Sequence, residues 1–512
     1  MEKRIPPRRT LQRQRSVFPV FTLTEQALTG EQARAAGSTA SRTYIEAAPG
    51  SGKTTVAAER FGMLRFAPDR DDRAVVAVSF TRSATAELRQ RIRLRWGPSA
   101  LVWPHRVVTL DTILCDMLSH LLRRRLLRWP GGQQELVVHD TWKVRLKHNW
   151  KRQQPYLTLN GDEVSVSIAW PRRPENRVDL ESFREAIKDG ECTHDDVRTI
   201  LAAALNQSAI ARVVAQRLRE TVRAVIVDEV FDANSLDLLL VKIACDQGIG
   251  TTIIGDPWQA LYRFRGARPE QVPALVDEHE FSYNPLTKSF RFRTHAANVL
   301  STELRSGHPV VLPKAESAHA DVVLSGKWND LWDCGENVLP LSFGSTPESP
   351  PESAAVLLLD QVTQTTVGHH AVFLQDALTN LGITDPEALR RMAQPFTRIL
   401  EILRSDTSEA ADTAWKQLSA VIKQESPREF PRKHPVQVAR LKKIRQVLRS
   451  KERRFIPGLT IHQAKGREWG TVAVGITDRE QTMLATGLDV RNEEHRKLYV
   501  ALTRGRDRTI AI

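Results

Sequence analysis

The segment TYIEAAPGSGKTT, Thr43 to Thr55, constrains the fold more than any other stretch of the chain. A short apolar run ends in a glycine turn, and a helical pattern, VAAERFGML, follows it. The turn matches G-x-x-x-x-G-K-[ST], with Ala47 in the place of the first glycine. A strand that feeds a turn at a helix N-terminus is the unit of a parallel α/β sheet. Gly50 and Gly52 permit a tight curl in which backbone N–H groups, that of Ser51 among them, converge on phosphate oxygens. Lys53 supplies a cation for the β- and γ-phosphates, Thr54 offers a hydroxyl to Mg²⁺, and Thr55 lies beside it. ATP with Mg²⁺ is therefore the expected ligand. A glycine-rich strand-to-helix turn with no ligand is the bland alternative. The strand before the turn and the helical pattern after it weigh against that alternative.

Four further apolar runs, Ala74 to Phe80, Arg106 to Thr109, Val222 to Val227 and Gly250 to Ile254, join Thr43 to Ala47 as expected buried strands. A second set is expected at Ala354 to Leu359, Leu459 to Ile461, Thr471 to Val474 and Thr509 to Ile512. The fold class is α/β, with two parallel-sheet domains that each carry a mostly helical insertion. Residues 1–18 form a basic, disordered arm. The first domain takes 19–111 and 206–280, around an insertion at 112–205 that opens with Arg123, Arg124, Arg125 and Arg128. The second takes 281–385 and 456–512, around a reduced insertion at 386–455. The Pro-, Ser- and Gly-rich stretch Phe343 to Ser353 is expected to be a loop.

Lys and Arg total 74 against 60 Asp and Glu, a net charge of +14. Such an excess suits a polyanionic partner, because neutralised phosphates release counterions. A scattered basic surface is the alternative on charge alone. Cys115, Cys192, Cys245 and Cys334 are far apart and form no metal-ligand pair, so reduced thiols are expected. No apolar run is long enough to span a membrane, and no signal-peptide core follows the basic N-terminus. A cytoplasmic protein without a membrane partner is expected.

Asp228 and Glu229 stand just past an apolar strand in AVIVDEVFDAN. Asp228 could hold Mg²⁺ and Glu229 polarise an attacking water. An acidic strand-end turn on the surface is the alternative, and the phosphate loop upstream selects against it. In GDPWQALYRFRGA, Gln259 could report on the γ-phosphate, while Tyr262, Phe264 and Arg265 could face a base. An aromatic beside an arginine is also a common packing pair. In EEHRKLYVALTRGR, Arg504 could place a guanidinium on the transferring phosphoryl group; a solvated helix-end arginine is its alternative.

Taken in order, these segments resemble the UvrD/Rep/PcrA family of superfamily 1 helicases, from about Leu28 to the C-terminus. The resemblance implies two RecA-like domains with ATP between them, and ATP-driven movement 3′ to 5′ along single-stranded or tailed duplex DNA. LTGEQARAA resembles the family's adenine-reading motif, with Gln32. AVSFTRSATAELRQRI resembles the motif whose Phe80 and Thr81 would touch DNA. LTKSFRFRT resembles the motif in which Phe290 would stack on adenine and Arg291 reach the γ-phosphate. GLTIHQAKGREW resembles the motif with Thr460 and His462 near DNA and Glu468 near the ribose. The same resemblance makes Arg504 an arginine finger.

The chain departs from the family at Phe231, usually Gln, at Thr55, often Arg, at Asp111, usually His, and at Ser289, usually Asn. The Phe231 change bears on how tightly nucleotide and DNA are coupled. The reduced second insertion, with no nuclease-like segment after the last motif, resembles compact Gabija-type anti-phage helicases. That implies phage defence or DNA repair as the setting, with a separate nuclease as a protein partner. The alternative is a DNA-stimulated ATPase acting as a sensor or clamp, with weak unwinding.

Overall fold

The computed structural model describes residues 27–68, 71–146, 148–172, 175–428, 430, 435–452 and 454–512. The expected basic arm at 1–18 lies outside the described residues.

The first sheet opens with β1 (Arg42–Ala47), β2 (Ala74–Ser79) and β3 (Arg106–Thr109). The insertion then contributes β4 (Val137–His139), β5 (His148–Lys151), β6 (Gln154–Asn160), β7 (Glu163–Ala169), β8 (Glu175–Val178) and β9 (Glu191–Thr193). The chain returns to the first sheet with β10 (Val222–Asp228), β11 (Gly250–Gly255) and β12 (Ser282–Leu286). The order is β12-β1-β11-β10-β2-β3, and every pairing is parallel. Helices cover both faces of this sheet, so its central strands are largely apolar. All six residues of β2, AVVAVS, are buried.

The second sheet is built from β13 (Val322–Ser325), β14 (Val338–Pro340), β15 (Ile456–Thr460), β16 (Trp469–Val474) and β17 (Gly505–Ala511). Its order is β14-β15-β13-β16-β17, again all parallel. Two parallel sheets flanked by helices are the two RecA-like domains that the fold class anticipates.

Several expectations change. Ala354 to Leu359 is not a strand. It lies inside the helix Pro350–Val367, and each of its six residues is buried. Period alone cannot separate a buried strand from a helix buried on all sides. Prolines at the first two helical positions, Pro350 and Pro351, start this helix. The helices Leu374–Leu381, Ala388–Arg404, Ala410–Glu425 and Pro435–Arg449 wrap around it and share one apolar core with it. The helical body thus begins at Pro350 rather than at 386, and the end of the expected loop at 343–353 is its first turn. β15 runs Ile456–Thr460 and stops where Ile461 opens a short helix, so the strand expected at 459–461 is shifted toward the N-terminus. The first insertion is mixed rather than largely helical. The β6–β7 hairpin and the pairs β4–β9 and β5–β8 sit among its helices. Strands β12, β13 and β14 were not among the expected ones, although β13 and β14 are short buried apolar runs, and β12 pairs with β1, so the first domain runs on through Leu286 rather than ending at 280.

Candidate functional site

β1 delivers Ala47 into the turn, and the helix Lys53–Arg65 leaves it with its N-terminus at the loop. Gly50 and Gly52 hold positive φ angles of 72° and 87°. A Cβ on Gly50 would lie 2.4 Å from Cβ of Arg291, and one on Gly52 would lie 2.6 Å from Nε2 of Gln32. The glycines therefore serve two purposes: they curl the loop, and they let the segment after β12 approach it. That segment is bonded to the loop. The Phe290 N–H donates to the Gly50 carbonyl at 2.9 Å, and Ser289 Oγ donates to the Pro49 carbonyl at 2.6 Å. Ser289, where the family usually has Asn, thus has a structural partner of its own.

Gln32 is held by a capping box with Thr29, and its Nε2 donates to the Ser51 carbonyl at 2.9 Å. Its amide is fixed against the back of the loop. Ser51 itself is buried, and its Oγ lines the cleft without a hydrogen-bond partner among the described residues. A buried hydroxyl left in this state fits a ligand oxygen.

The cleft between the two sheets has a volume of about 690 Å³. Gly50, Ser51, Gly52, Lys53, Thr54 and Thr55 line its first-domain wall, with Phe80, Thr81, Asp228, Glu229, Gln259 and Tyr262. Arg291, Glu468 and Arg504 line it from the other side. Lys53 Nζ lies 3.2 Å from Glu229 Oε1. Asp228 accepts the Glu229 N–H at 3.0 Å. Burial, and then the neighbouring Glu229, push the Asp228 carboxyl up to about 7. Burial also raises Glu229, but Lys53 and Lys465 outweigh it and hold that carboxyl below its ordinary value. Glu229 has φ 59°, a left-handed conformation that a non-glycine residue adopts at a cost of about 1–3 kcal/mol. From this turn the Glu229 carboxylate faces Lys53.

Arg291 Nε donates to Glu468 at 2.9 Å, and its Nη1 donates to the Thr503 carbonyl at 3.1 Å. Arg504 is fully buried; Nε donates to the Val500 carbonyl at 3.0 Å and Nη2 to Gln259 Oε1 at 3.4 Å. Burial, then the adjacent Arg291 guanidinium, push its pKa down to about 9. Two close cations with little water around them are costly unless anionic charge is brought to them. Lys53, Arg291 and Arg504 around one cleft suit a triphosphate. Among the described residues no group of three or more His, Cys, Asp or Glu forms a preformed metal site. Mg²⁺ needs none, since one or two protein oxygens and substrate phosphates suffice. Thr54 and Asp228 fit that demand.

The residues expected to face DNA separate into two groups. Phe264 is 64% exposed, its ring edge-on to His462 with centroids 5.2 Å apart. The Arg265 guanidinium lies over Phe264 and Tyr262, at 5.6 and 5.1 Å. Thr81 is exposed and caps the helix Arg82–Trp96. Thr460, by contrast, is buried at the end of β15, so the side chain expected to lie near DNA has little free surface. A strand end inside a parallel sheet is covered from both faces. Phe290 is half exposed and sits under Lys288 Nζ at 5.5 Å. Phe231 is buried in the first-domain core, edge-on to Tyr44 and packed over Gly255, and it does not line the cleft. Asp111 pairs with Arg198 at 2.8 Å, which ties it to the insertion.

Two residues that the sequence reading passed over also line this cleft, Asp232 and Lys465. Both lay inside quoted motifs, but nothing in either motif announced the other. No helix among the described residues is long and apolar enough to cross a membrane.

Comparison with known proteins agrees with this geometry. The model of the UvrD/REP helicase N-terminal domain matches residues 28–125 and 172–280. That of the UvrD-like helicase C-terminal domain matches residues 391–512. The chain belongs to the UvrD/Rep-like family of superfamily 1 helicases. It is similar to DNA helicase II of Haemophilus influenzae, 25% identical over 285 residues, covering 50% of this chain and 37% of that protein. It is similar to DNA helicase II of Escherichia coli, 24% identical over 281 residues, covering 49% and 36%. With ATP-dependent DNA helicase Rep of Salmonella typhimurium the identity is 37% over 255 residues, covering 46% and 36%. The matched region spans less than half the length of each of these relatives.

Proposed function

We propose that the chain is an ATP-dependent DNA translocase or helicase that moves 3′ to 5′ on single-stranded DNA. One observation carries the reading: Lys53, Glu229, Arg291 and Arg504, drawn from two parallel-sheet domains, face a single cleft. In this reading the loop N–H groups and Lys53 grip the phosphates, and Gln32, whose amide is taken up by Thr29 and Ser51, braces the loop from behind rather than reading the base. Phe290 stacks on the base, and Glu468 orients the ribose. Mg²⁺, held by Thr54 and Asp228, would neutralise charge on the phosphate oxygens. Glu229 orients the attacking water and accepts its proton. Gln259, Arg291 and Arg504 stabilise the charge on the transferring group. Closure of the domains on ATP and reopening after hydrolysis would draw a strand past Phe80, Thr81, Phe264 and His462.

The experiment is single-strand-stimulated ATP hydrolysis by the full chain and its Lys53→Ala variant. The expected result is turnover in the parent and none above background in the variant. Parental turnover in the Lys53→Ala protein would defeat the reading.

A second reading, a sensor or clamp with weak unwinding, is favoured by Phe231, which fills the core and offers no polar group to the cleft. Strand displacement on a 3′-tailed duplex separates the two, since vigorous unwinding by the isolated chain contradicts a clamp. The settings we propose are cytoplasmic DNA repair or phage defence, the latter with a nuclease partner. A nuclease encoded beside this chain and co-purifying with it would support phage defence.

A further inference from the structure

The helix His295–Arg305 packs against β17 and the helix Glu493–Leu502 of the second domain, and its last residue reaches into the first. Arg305 Nη1 donates to Asp256 Oδ1 at 2.8 Å, and Nη2 donates to Glu46 Oε1 at 2.7 Å. Glu46 lies in β1, just ahead of the phosphate loop. Asp256 follows β11 and caps the short turn Pro257–Gln259. The Asp256 side chain is fully withdrawn from water, and both of its oxygens are used. Oδ1 accepts the Trp258 N–H at 3.1 Å as well as Arg305, and Oδ2 accepts Gln259 Nε2 at 2.7 Å. Gln259 Oε1 is left facing Arg504 Nη2, at 3.4 Å.

A glutamine amide fits such a place either way round, so its neighbours decide which end faces the cleft. A carboxylate paired with a guanidinium only accepts, so it takes the amide nitrogen and turns the oxygen outward. The reverse setting would put the Gln259 NH₂ group against the Arg504 guanidinium, donor against donor. A buried carboxylate without its cation is costly and takes up a proton instead, and a protonated acid donates as well as accepts. Asp256 would then no longer dictate which end of the amide it holds. Docking of the two domains asks for less than this. The bond to Glu46, a part-exposed carboxylate, would serve that purpose alone. The second bond goes to the one carboxylate that carries Gln259.

We propose that Arg305 is a positioning residue for ATP hydrolysis: through Asp256 it sets which way the Gln259 amide faces, and through the amide oxygen it aims Arg504. Arg305 itself does not line the nucleotide cleft. The inference rests on the ATPase reading above and adds to it a residue from outside the cleft.

The experiment is a double-mutant cycle of Arg305→Met and Gln259→Ala in the full chain, read as single-strand-stimulated ATP turnover. Arg305→Met is expected to lower kcat by about 10- to 100-fold, since misplacing a group by an ångström costs that much. KM for ATP should change by about 2-fold or less, because the loss falls on the transition state. In the Gln259→Ala background the same change is expected to cost about 2-fold or less, since residues that act as one unit do not lose activity twice. Arg305→Lys, which keeps a cation beside Asp256, should recover most of the loss. A merely structural role would lower turnover by the same factor in both backgrounds. That result overturns the assignment, as does parental kcat in a folded Arg305→Met protein. Should Arg305→Met lose its fold, Asp256→Asn carries the cycle in its place, since its amide can present either end to Gln259; a loss in the parental background only is again expected. Turnover that survives in Lys53→Ala would strike the ATPase reading, whereas equal losses in the two backgrounds would strike Arg305 alone.

Discussion

Arg504, in the turn between the last helix (Glu493–Leu502) and β17, donates its Nη2 to Gln259 Oε1 of the first domain at 3.4 Å. The bond is long, and the Gln259 amide is held in turn by its own donation to Asp256 at 2.7 Å. Arg504 is therefore a buried cation steered toward the phosphate end of the cleft by a partner in the opposite domain. Further docking contacts lie beyond the cleft. Arg305 bonds Asp256 at 2.8 Å and Glu46 at 2.7 Å, and the Trp258 and Tyr499 rings lie 4.7 Å apart.

A group that acts on the transferring phosphoryl group is felt in turnover more than in binding. Arg504→Ala is expected to lower kcat for ATP hydrolysis by about 10³-fold or more, with ATP affinity falling far less. Steady-state turnover and binding of a fluorescent ATP analogue measure the two separately. Equal losses in both would contradict the assignment.

The close approach at Gly50 makes a second expectation. Gly50→Ala adds a Cβ 2.4 Å from Cβ of Arg291 in a residue at φ 72°. Left-handed geometry costs a non-glycine residue about 1–2 kcal/mol, and the clash adds to it. The segment bearing Phe290 and Arg291 must then shift away from the loop. Both nucleotide affinity and turnover should fall, and the melting temperature should drop by a few degrees. A variant with parental nucleotide affinity would show that this approach is not needed.

Phe264 is the most exposed aromatic on the expected strand-binding side, and its neighbours Arg265 and His462 leave its outer face open. Stacking on one base is worth about 1–3 kcal/mol. Phe264→Ala should weaken binding of single-stranded DNA by about 5- to 150-fold, equally for different base sequences. Anisotropy with oligomers of different composition tests it, and a loss confined to one sequence would point to base readout instead.

His105 offers a pH signature. It is buried, its Nδ1 accepts the Val75 N–H at 3.0 Å, and burial pushes its pKa down to about 4. The unfolded chain binds the proton more readily, so stability is full above the ordinary histidine value of about 6.5 and is lost as pH falls toward 4. The loss attributable to His105 should reach at most about 3 kcal/mol. Urea denaturation of the parent and His105→Gln between pH 7 and 4 would measure it. The variant should show a flatter dependence, and identical slopes would exclude His105 as the source.

The phosphate loop, the acidic pair and Arg504 were legible because local chemistry demands them: a left-handed turn needs glycine, and a phosphate needs cations and N–H groups close by. The runs of β1, β2, β10 and β11 were legible because a strand covered on both faces is largely apolar. Ala354 to Leu359 misled for the same reason, since a helix buried on all sides presents the same apolar run. Thr460 is buried at its strand end, although its motif placed it by the strand.

What the linear order of residues determined is which chemical groups are present and how each turn positions its own neighbours. What only the folded chain decided is which distant groups meet. Asp232 and Lys465 are separated by 233 positions, and Arg504 and Gln259 by 245. Pairings of that range are set by how two sheets and their covering helices pack, a property of the whole core that no short run of residues contains.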